Sequence, residues 1–355
     1  MKVLLIDTAI DGHHIPYLNA LTQSTENCVA VLPEQTDLIE CMQYTIDCNF
    51  AKTKKFFGYL KWIKEIKNIT KKERPDIVHF LYGDSIFRFF GIGLGAIHRH
   101  AKVLVIFHHI RRSKLKDISN RCIAKKADKV IVHTDSLMNT LKEIGINNGI
   151  HIEYPCFNHV KEIDQTFAQS KIGMRKPEGK VLLALGGTRY DKGLNILLEA
   201  LKKVSQPFHL VIAGKEQTFT REYIENEIIT YKEKVTLILK YLSEEEIELC
   251  LNSADIIILP YRKVFDGASG PLGEGVALGK MIVGPEHGSI GDLIQKHKLG
   301  MTFISEDVEN LAMIINKALN EEFWLTDAYK EYQKALDRKT FVLLYNALYY
   351  DIVKT

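Results

Sequence analysis

Residues Phe265 to Lys280 read FDGASGPLGEGVALGK. They follow ADIIILP, Ala254 to Pro260, a short apolar run of the kind that forms a buried strand. Gly270-Pro271 is a helix-start signal, because glycine tolerates the cap geometry and proline presets the φ of the first turn. Gly279 supplies a stop. A helix that begins there turns unpaired N–H groups back toward the end of the strand, and such an end attracts anions, phosphates above all. Asp266 and Glu274 lie on either side of this start. Amides for phosphates and carboxylates for hydroxyls make a pattern suited to a nucleotide sugar.

A second segment, Leu185 to Gly193, reads LGGTRYDKG and sits between a strand-like run and a helix-like one. Its glycines let the backbone approach a ligand closely. Arg189 offers a fork of donors and Lys192 a point charge, both fit for a diphosphate. The segment does not match the Walker A pattern. The alternative is a glycine turn carrying exposed basic residues. Near the N-terminus, Asp11-Gly12-His13-His14 follows the first apolar run without a G-x-G-x-x-G, which weakens a dinucleotide reading of that half. His108 and His109 end the run VLVIF, where the plain alternative to a site role is a pair of partly exposed strand-end histidines.

These residues must be held by repeated strand–helix units. Strand candidates are Val3–Ile6, Cys28–Leu32, Ile77–Leu81, Val103–Phe107, Lys129–His133 and Ile150–Glu153. A second series follows: Val181–Leu185, His209–Ala213, Val235–Leu239, Ile256–Leu259 and Met281–Val283. The polar stretch from Asn158 to Lys180 between the two series reads as a linker. Strands without strict alternation, separated by helices, predict parallel sheets covered on both faces. The expectation is α/β, two doubly wound Rossmann-like domains facing a central cleft, with ligands at the carboxyl ends of the strands. Ser243-Glu244-Glu245-Glu246 predicts a capping box. Glu321 to Thr355 predicts two helices.

At 355 residues and 46% apolar content the chain has enough for two cores. No apolar run reaches the roughly 20 residues that span a bilayer, and no secretory leader is visible after Met1-Lys2. The six cysteines are scattered without a C-x-x-C, which points to reduced thiols and a cytoplasmic setting. Between Phe50 and Lys126 there are 19 Lys/Arg and 5 Asp/Glu, a local +14; with a net charge of +3, the remainder carries −11. Within that basic region Phe56, Leu60, Ile63, Ile66 and Ile69 recur at helical spacing among the lysines of 52–72. Such a helix could lie on an anionic membrane surface, or pack its stripe on the sheet while its lysines face water. Arg111, Arg112, Lys114 and Lys116 could extend the same face or steer a pyrophosphate acceptor.

The two C-terminal segments resemble the family 4 (group 1) retaining glycosyltransferases, two-Rossmann-domain enzymes of the GT-B type. GGTRYDKG is similar to that family's glycine turn with Arg followed by Lys-Gly at a helix start. Asp266 and Glu274, with seven residues between them, fall on its pair of carboxylates, with Asp where the family usually has Glu. The resemblance is close over 181–300 and looser over 1–155. It implies an N-terminal acceptor domain, 1–165, completed by the C-terminal helix 339–355, and a nucleotide-sugar domain, 166–338. It implies that Arg189 and Lys192 neutralise the leaving diphosphate, with Gly187 and Thr188 in the same turn. Ser269, Gly270, Pro271 and Leu272 would hold the distal phosphate, Glu274 the ribose and Asp266 the donor sugar. His108 would lie near that sugar, and Gly12 and His13 would line the acceptor side.

The implied reaction transfers a sugar from a nucleoside diphosphate sugar, UDP before GDP, to a hydroxyl of a glycan or lipid-linked acceptor, as in bacterial surface polysaccharide assembly. It needs no cofactor and no metal. The implied setting is the cytoplasm, including the inner face of the membrane. An epimerase of the same fold and a non-catalytic nucleotide-sugar scaffold are the alternatives. A nucleic-acid partner would account for the basic half but not for the C-terminal motifs.

Overall fold

The computed structural model describes all residues except 12–13, 111, 158–160, 175–176, 266–268 and 355. The chain divides into two compact units, Met1–Phe157 with Arg338–Thr355, and Asn158–Asp337.

The first unit is built on a seven-stranded sheet: β1 (Lys2–Ile6), β2 (Asn27–Leu32), β3 (Met42–Thr45), β4 (Ile77–Phe80), β5 (Lys102–Ile106), β6 (Lys129–Val132) and β7 (Gly149–His151). Its order is β3-β2-β1-β4-β5-β6-β7 and every pairing is parallel. The strands β1, β4 and β5 are buried almost throughout, as a sheet covered on both faces requires. One face packs on the Phe56–Glu73 helix, which buries Tyr59, Trp62, Ile63 and Ile66 beside Phe50 and Phe89. The apolar stripe of this helix is therefore core. The stripe expected from spacing is rotated: Phe56 is half-exposed, and Tyr59 and Trp62 point inward. Lys61 and Lys64 remain exposed.

The other face packs on the His14–Thr22 helix and on the Arg338–Lys354 helix, whose Phe341, Tyr345, Tyr349 and Ile352 join Val3, Leu5, Ala30 and Leu104 in one cluster. Polar contacts fix that helix. Tyr349 OH lies 2.8 Å from His79 Nδ1, and Tyr17 OH lies 2.8 Å from Tyr345 OH and 3.0 Å from His133 Nε2.

The second unit has six parallel strands, β8 (Lys180–Leu185), β9 (Phe208–Ala213), β10 (Val235–Ile238), β11 (Ile256–Ile258), β12 (Met281–Pro285) and β13 (Gly300–Phe303), ordered β10-β9-β8-β11-β12-β13. Both sheets reverse direction of growth at their first strand, β1 and β8, the topological switch point of doubly wound folds. The break between units falls at Phe157 rather than 165, because the stretch read as a linker is tied to the second unit. Ile163 N–H donates to Asn252 Oδ1, Asn252 Nδ2 to Lys161 O, and Gln165 Nε2 to Asp255 Oδ1. A helix, Gln165–Lys171, packs there against Glu244–Ser253. The latter opens with the reciprocal Ser243–Glu246 capping box.

Candidate functional site

In the second unit the site forms where β8 and β11 end. After β8 the backbone turns through Gly186 at φ +115, a conformation that favours glycine. A Cβ on Gly186 would stand 2.6 Å from Lys192 Nζ, so the ammonium lies directly over the bare turn. The turn is braced by Thr188, which is buried. Its hydroxyl donates to Phe219 O at 2.7 Å and accepts from Gln217 N at 2.8 Å. Thr188 thus fastens the loop and has its hydroxyl committed. Arg189, half-exposed, forms a two-pronged pair with Asp191, Nε to Oδ1 at 2.9 Å and Nη2 to Oδ2 at 2.6 Å. That hydrogen-bonded pairing holds the Asp191 carboxyl below its usual range. Of the two cations expected to face an anion, Lys192 stands over the glycine turn and Arg189 is engaged by its neighbour.

The residues past β11 come back to the same place. Tyr261 is buried, and its hydroxyl lies 3.2 Å from Lys192 Nζ and 3.2 Å from Ser269 Oγ. Lys192 Nζ also sits 5.1 Å from the centre of the Tyr261 ring. Ser269 is the N-cap of the Gly270–Ala277 helix, and its hydroxyl accepts the Leu272 N–H at 3.4 Å. Gly273 N–H is taken by Ser269 O and Pro271 has none. Among the described residues, nothing takes the amides of Ser269 and Gly270, whereas the Leu272 and Gly273 amides are engaged within the helix start. Gly275 lets this helix press on the sheet: a Cβ there would be 2.7 Å from Ile257. Glu274 is buried, and its Oε1 turns back toward Gly270, 3.9 Å from where a Cβ on that glycine would be. Lys192 and Ser269 thus meet at Tyr261, and Gly270 with Glu274 lies in the helix that Ser269 caps. Asp266, the expected donor-sugar carboxylate, lies outside the described residues.

In the first unit the expected histidine, His108, sits just past β5. Its Nε2 lies 3.0 Å from Leu81 O, its ring stacks on Tyr82 at 4.5 Å, and His133 is 5.1 Å away. Its backbone is held by Asp84, whose two carboxylate oxygens accept the His108 and His109 N–H groups at 2.9 and 3.0 Å. Burial raises the Asp84 carboxyl despite these bonds. Gly12 and His13 lie outside the described residues. Their neighbour His14 places Nδ1 2.9 Å from both oxygens of the buried Asp7. Burial opposes charge on His14, but the hydrogen bond and charge of Asp7 outweigh it and raise the ring above its usual value. His109 is exposed and His108 is half-buried.

Residues 165–338 match the family model described as glycosyl transferases group 1. Across that region the chain belongs to the group 1 glycosyl transferases. The match spans both segments that build the site in the second unit, so Lys192, Tyr261, Ser269 and Glu274 are residues of a glycosyltransferase. Solved structures agree in fold. A glycosyltransferase from Rickettsia africae is 19% identical with a TM-score of 0.73, covering 99% of this chain and 97% of that one. A sucrose-phosphate synthase from Thermosynechococcus elongatus is 15% identical with a TM-score of 0.70, covering 99% of each. HepE of Anabaena, in complex with UDP and glucose, is 14% identical with a TM-score of 0.64, covering 100% of this chain and 99% of that one. These likenesses assign the GT-B fold class to the glycosyltransferase. No curated protein matches it in sequence.

Sequence reasoning passed over Tyr261, Asp84 and the Asp7–His14 pair. Tyr261 and Asp7 each directly follow a strand-forming run, at the carboxyl end of a parallel sheet where ligands collect; that position was the available signal. Asp84 carried none.

Proposed function

We propose that this glycosyltransferase moves a sugar, with retention, from a nucleoside diphosphate sugar to a hydroxyl of a glycan or lipid-linked acceptor. The observation that carries this reading is the meeting of Lys192 with the start of the Gly270–Ala277 helix at Tyr261, beside the buried Glu274. Charge builds on the departing diphosphate as the glycosidic bond breaks, and a fixed ammonium with helix-start amides stabilises that charge more in the transition state than in the ground state. Lys192, Ser269 and Gly270 take the distal phosphate, and Glu274 accepts from the ribose hydroxyls. Arg189 contributes only when its pairing with Asp191 opens. These groups supply the positive charge without a divalent ion. His108 serves the acceptor hydroxyl in the first unit. The Anabaena structure, which holds UDP and glucose, supports UDP as the carrier and a hexose as the sugar. No described helix is long and apolar enough to cross a membrane; the lysines of 52–72 with exposed Phe57 support a peripheral contact with an anionic surface, as a lipid-linked acceptor in polysaccharide assembly would favour.

Titration calorimetry with UDP, GDP and ADP in EDTA tests the reading. One of them should bind, and Lys192→Ala and Glu274→Ala should each weaken it at least tenfold with folding intact. Absence of binding by all three, or binding unchanged in both variants, would sink the donor site.

A further inference from the structure

The Tyr261 hydroxyl sits between two groups that the diphosphate reading uses separately. Lys192 belongs to the turn after β8, and Ser269 caps the helix beyond β11. Tyr261 touches both at 3.2 Å and is itself buried, with its ring 4.4 Å from Phe265. An ammonium has donors only, so the phenol oxygen must accept from Lys192. Either hydroxyl can donate in the Tyr261–Ser269 bond; with the phenol donating, Ser269 Oγ accepts it together with the Leu272 N–H. In that arrangement both acceptor positions of Ser269 are filled and its own proton is the one left to donate. Bonds linked in this way polarise one another.

We propose that Tyr261 is a positioning residue of the donor site, fixing the Lys192 ammonium over the Gly186 turn and orienting the Ser269 hydroxyl so that both donate to the terminal phosphate of a nucleoside diphosphate. The ring contributes bulk as well: its centre lies 5.1 Å from the ammonium, on the hydroxyl side, which limits the space open to a flexible side chain. Tyr261 reaches no substrate atom on this account. It acts through Lys192 and Ser269, and it rests on the donor-site reading above.

The test uses whichever of UDP, GDP and ADP binds the parent enzyme, with the matching nucleoside monophosphate as the control that lacks the terminal phosphate. Tyr261→Phe keeps the ring and removes the hydroxyl. It should weaken the diphosphate about tenfold and leave the monophosphate within about twofold. Lys192→Met should weaken the diphosphate further, and adding Tyr261→Phe to it should cost little more, because the hydroxyl has lost the partner it acts through. Ser269→Ala cuts the other end and should show the same diphosphate-selective loss, which keeps the test open if Tyr261→Phe folds poorly. If Lys192→Met leaves diphosphate affinity unchanged, the donor-site reading falls and this inference with it. If Lys192→Met weakens binding while Tyr261→Phe and Ser269→Ala do not, Tyr261 alone is refuted. Equal loss of mono- and diphosphate in Tyr261→Phe would make it a packing residue and overturn the proposal.

Discussion

Gly193→Ala is the substitution for which the structure gives the sharpest expectation. Gly193 follows Lys192 at φ +63, and a Cβ there would stand 2.0 Å from Pro260 O, the residue before Tyr261. Two penalties combine. A left-handed backbone costs a residue with a Cβ roughly 1–2 kcal/mol. The collision is with a backbone oxygen and cannot be relieved by a rotamer, so the turn and the β11 end must part; overpacking of this kind costs about 1–3 kcal/mol. Together the second unit should lose about 2–5 kcal/mol, which for a unit of this size lowers Tm by roughly 4–20 °C. The same movement separates Lys192 from Tyr261, so nucleoside diphosphate affinity should fall with stability. Gly273→Ala is the matched control: its Cβ would meet nothing within 4 Å, inside the Gly270–Ala277 helix. There alanine should stabilise by about 0.5–1 kcal/mol through helix propensity. Scanning calorimetry of the three proteins reads both effects. A Gly193→Ala variant within 1 °C of the parent would refute the packing argument.

Three further outcomes follow from the first unit. Asp84→Ala strands the amides of His108 and His109 and should cost about 1–3 kcal/mol in urea unfolding; a loss below about 0.5 kcal/mol would contradict that role. Burial holds His79 down to about 3 and His133 to about 4, against an ordinary 6.5. The unfolded chain therefore takes up protons that the native unit refuses, so stability is complete above pH 6.5 and falls toward pH 4 by up to about 1.4 kcal/mol per pH unit for each histidine. His14 is raised and runs the opposite way, its contribution present below pH 6.5 and lost as pH climbs through its native value. His79→Asn should flatten the acid limb of a Tm-against-pH curve; an unchanged limb would show that His79 is not its source. Reversing Lys61, Lys64 and Lys67 to Glu should reduce sedimentation with phosphatidylglycerol vesicles and spare nucleotide affinity; a parent protein that does not sediment ends the membrane idea.

The apolar runs were legible because a doubly covered parallel sheet demands them, and β1, β4, β5, β8, β9, β11 and β12 lie where such runs stand in the sequence. The strands β3 and β13 escaped. Each is four residues, MQYT and GMTF, at the edge of its sheet, where one side is unpaired and continuous apolarity is not required. The Phe56–Glu73 helix was legible as a helix but not in its rotation, because Tyr59 and Trp62 are drawn inward by Phe50 and Phe89, contacts that spacing along one segment does not contain. In the site, glycines and the Ser-Gly-Pro helix start announced themselves through backbone geometry. The partners of the charged groups did not. Whether Arg189 faces a ligand or its own neighbour Asp191, and that Lys192 finds Tyr261 sixty-nine residues on, depends on how the ends of β8 and β11 converge.

The Arg338–Lys354 helix emerges during synthesis only after the entire second unit, yet it belongs to the first. Until it arrives, Tyr17 and His79 lack the Tyr345 and Tyr349 hydroxyls, and the apolar face of the β1–β7 sheet that Phe341 and Ile352 cover stays open to water. The second unit can close on itself as it leaves the ribosome. The first must wait, half-covered, for a segment encoded about 180 residues downstream. The first unit is thereby begun first in translation and completed last, and until then it keeps an apolar sheet face uncovered.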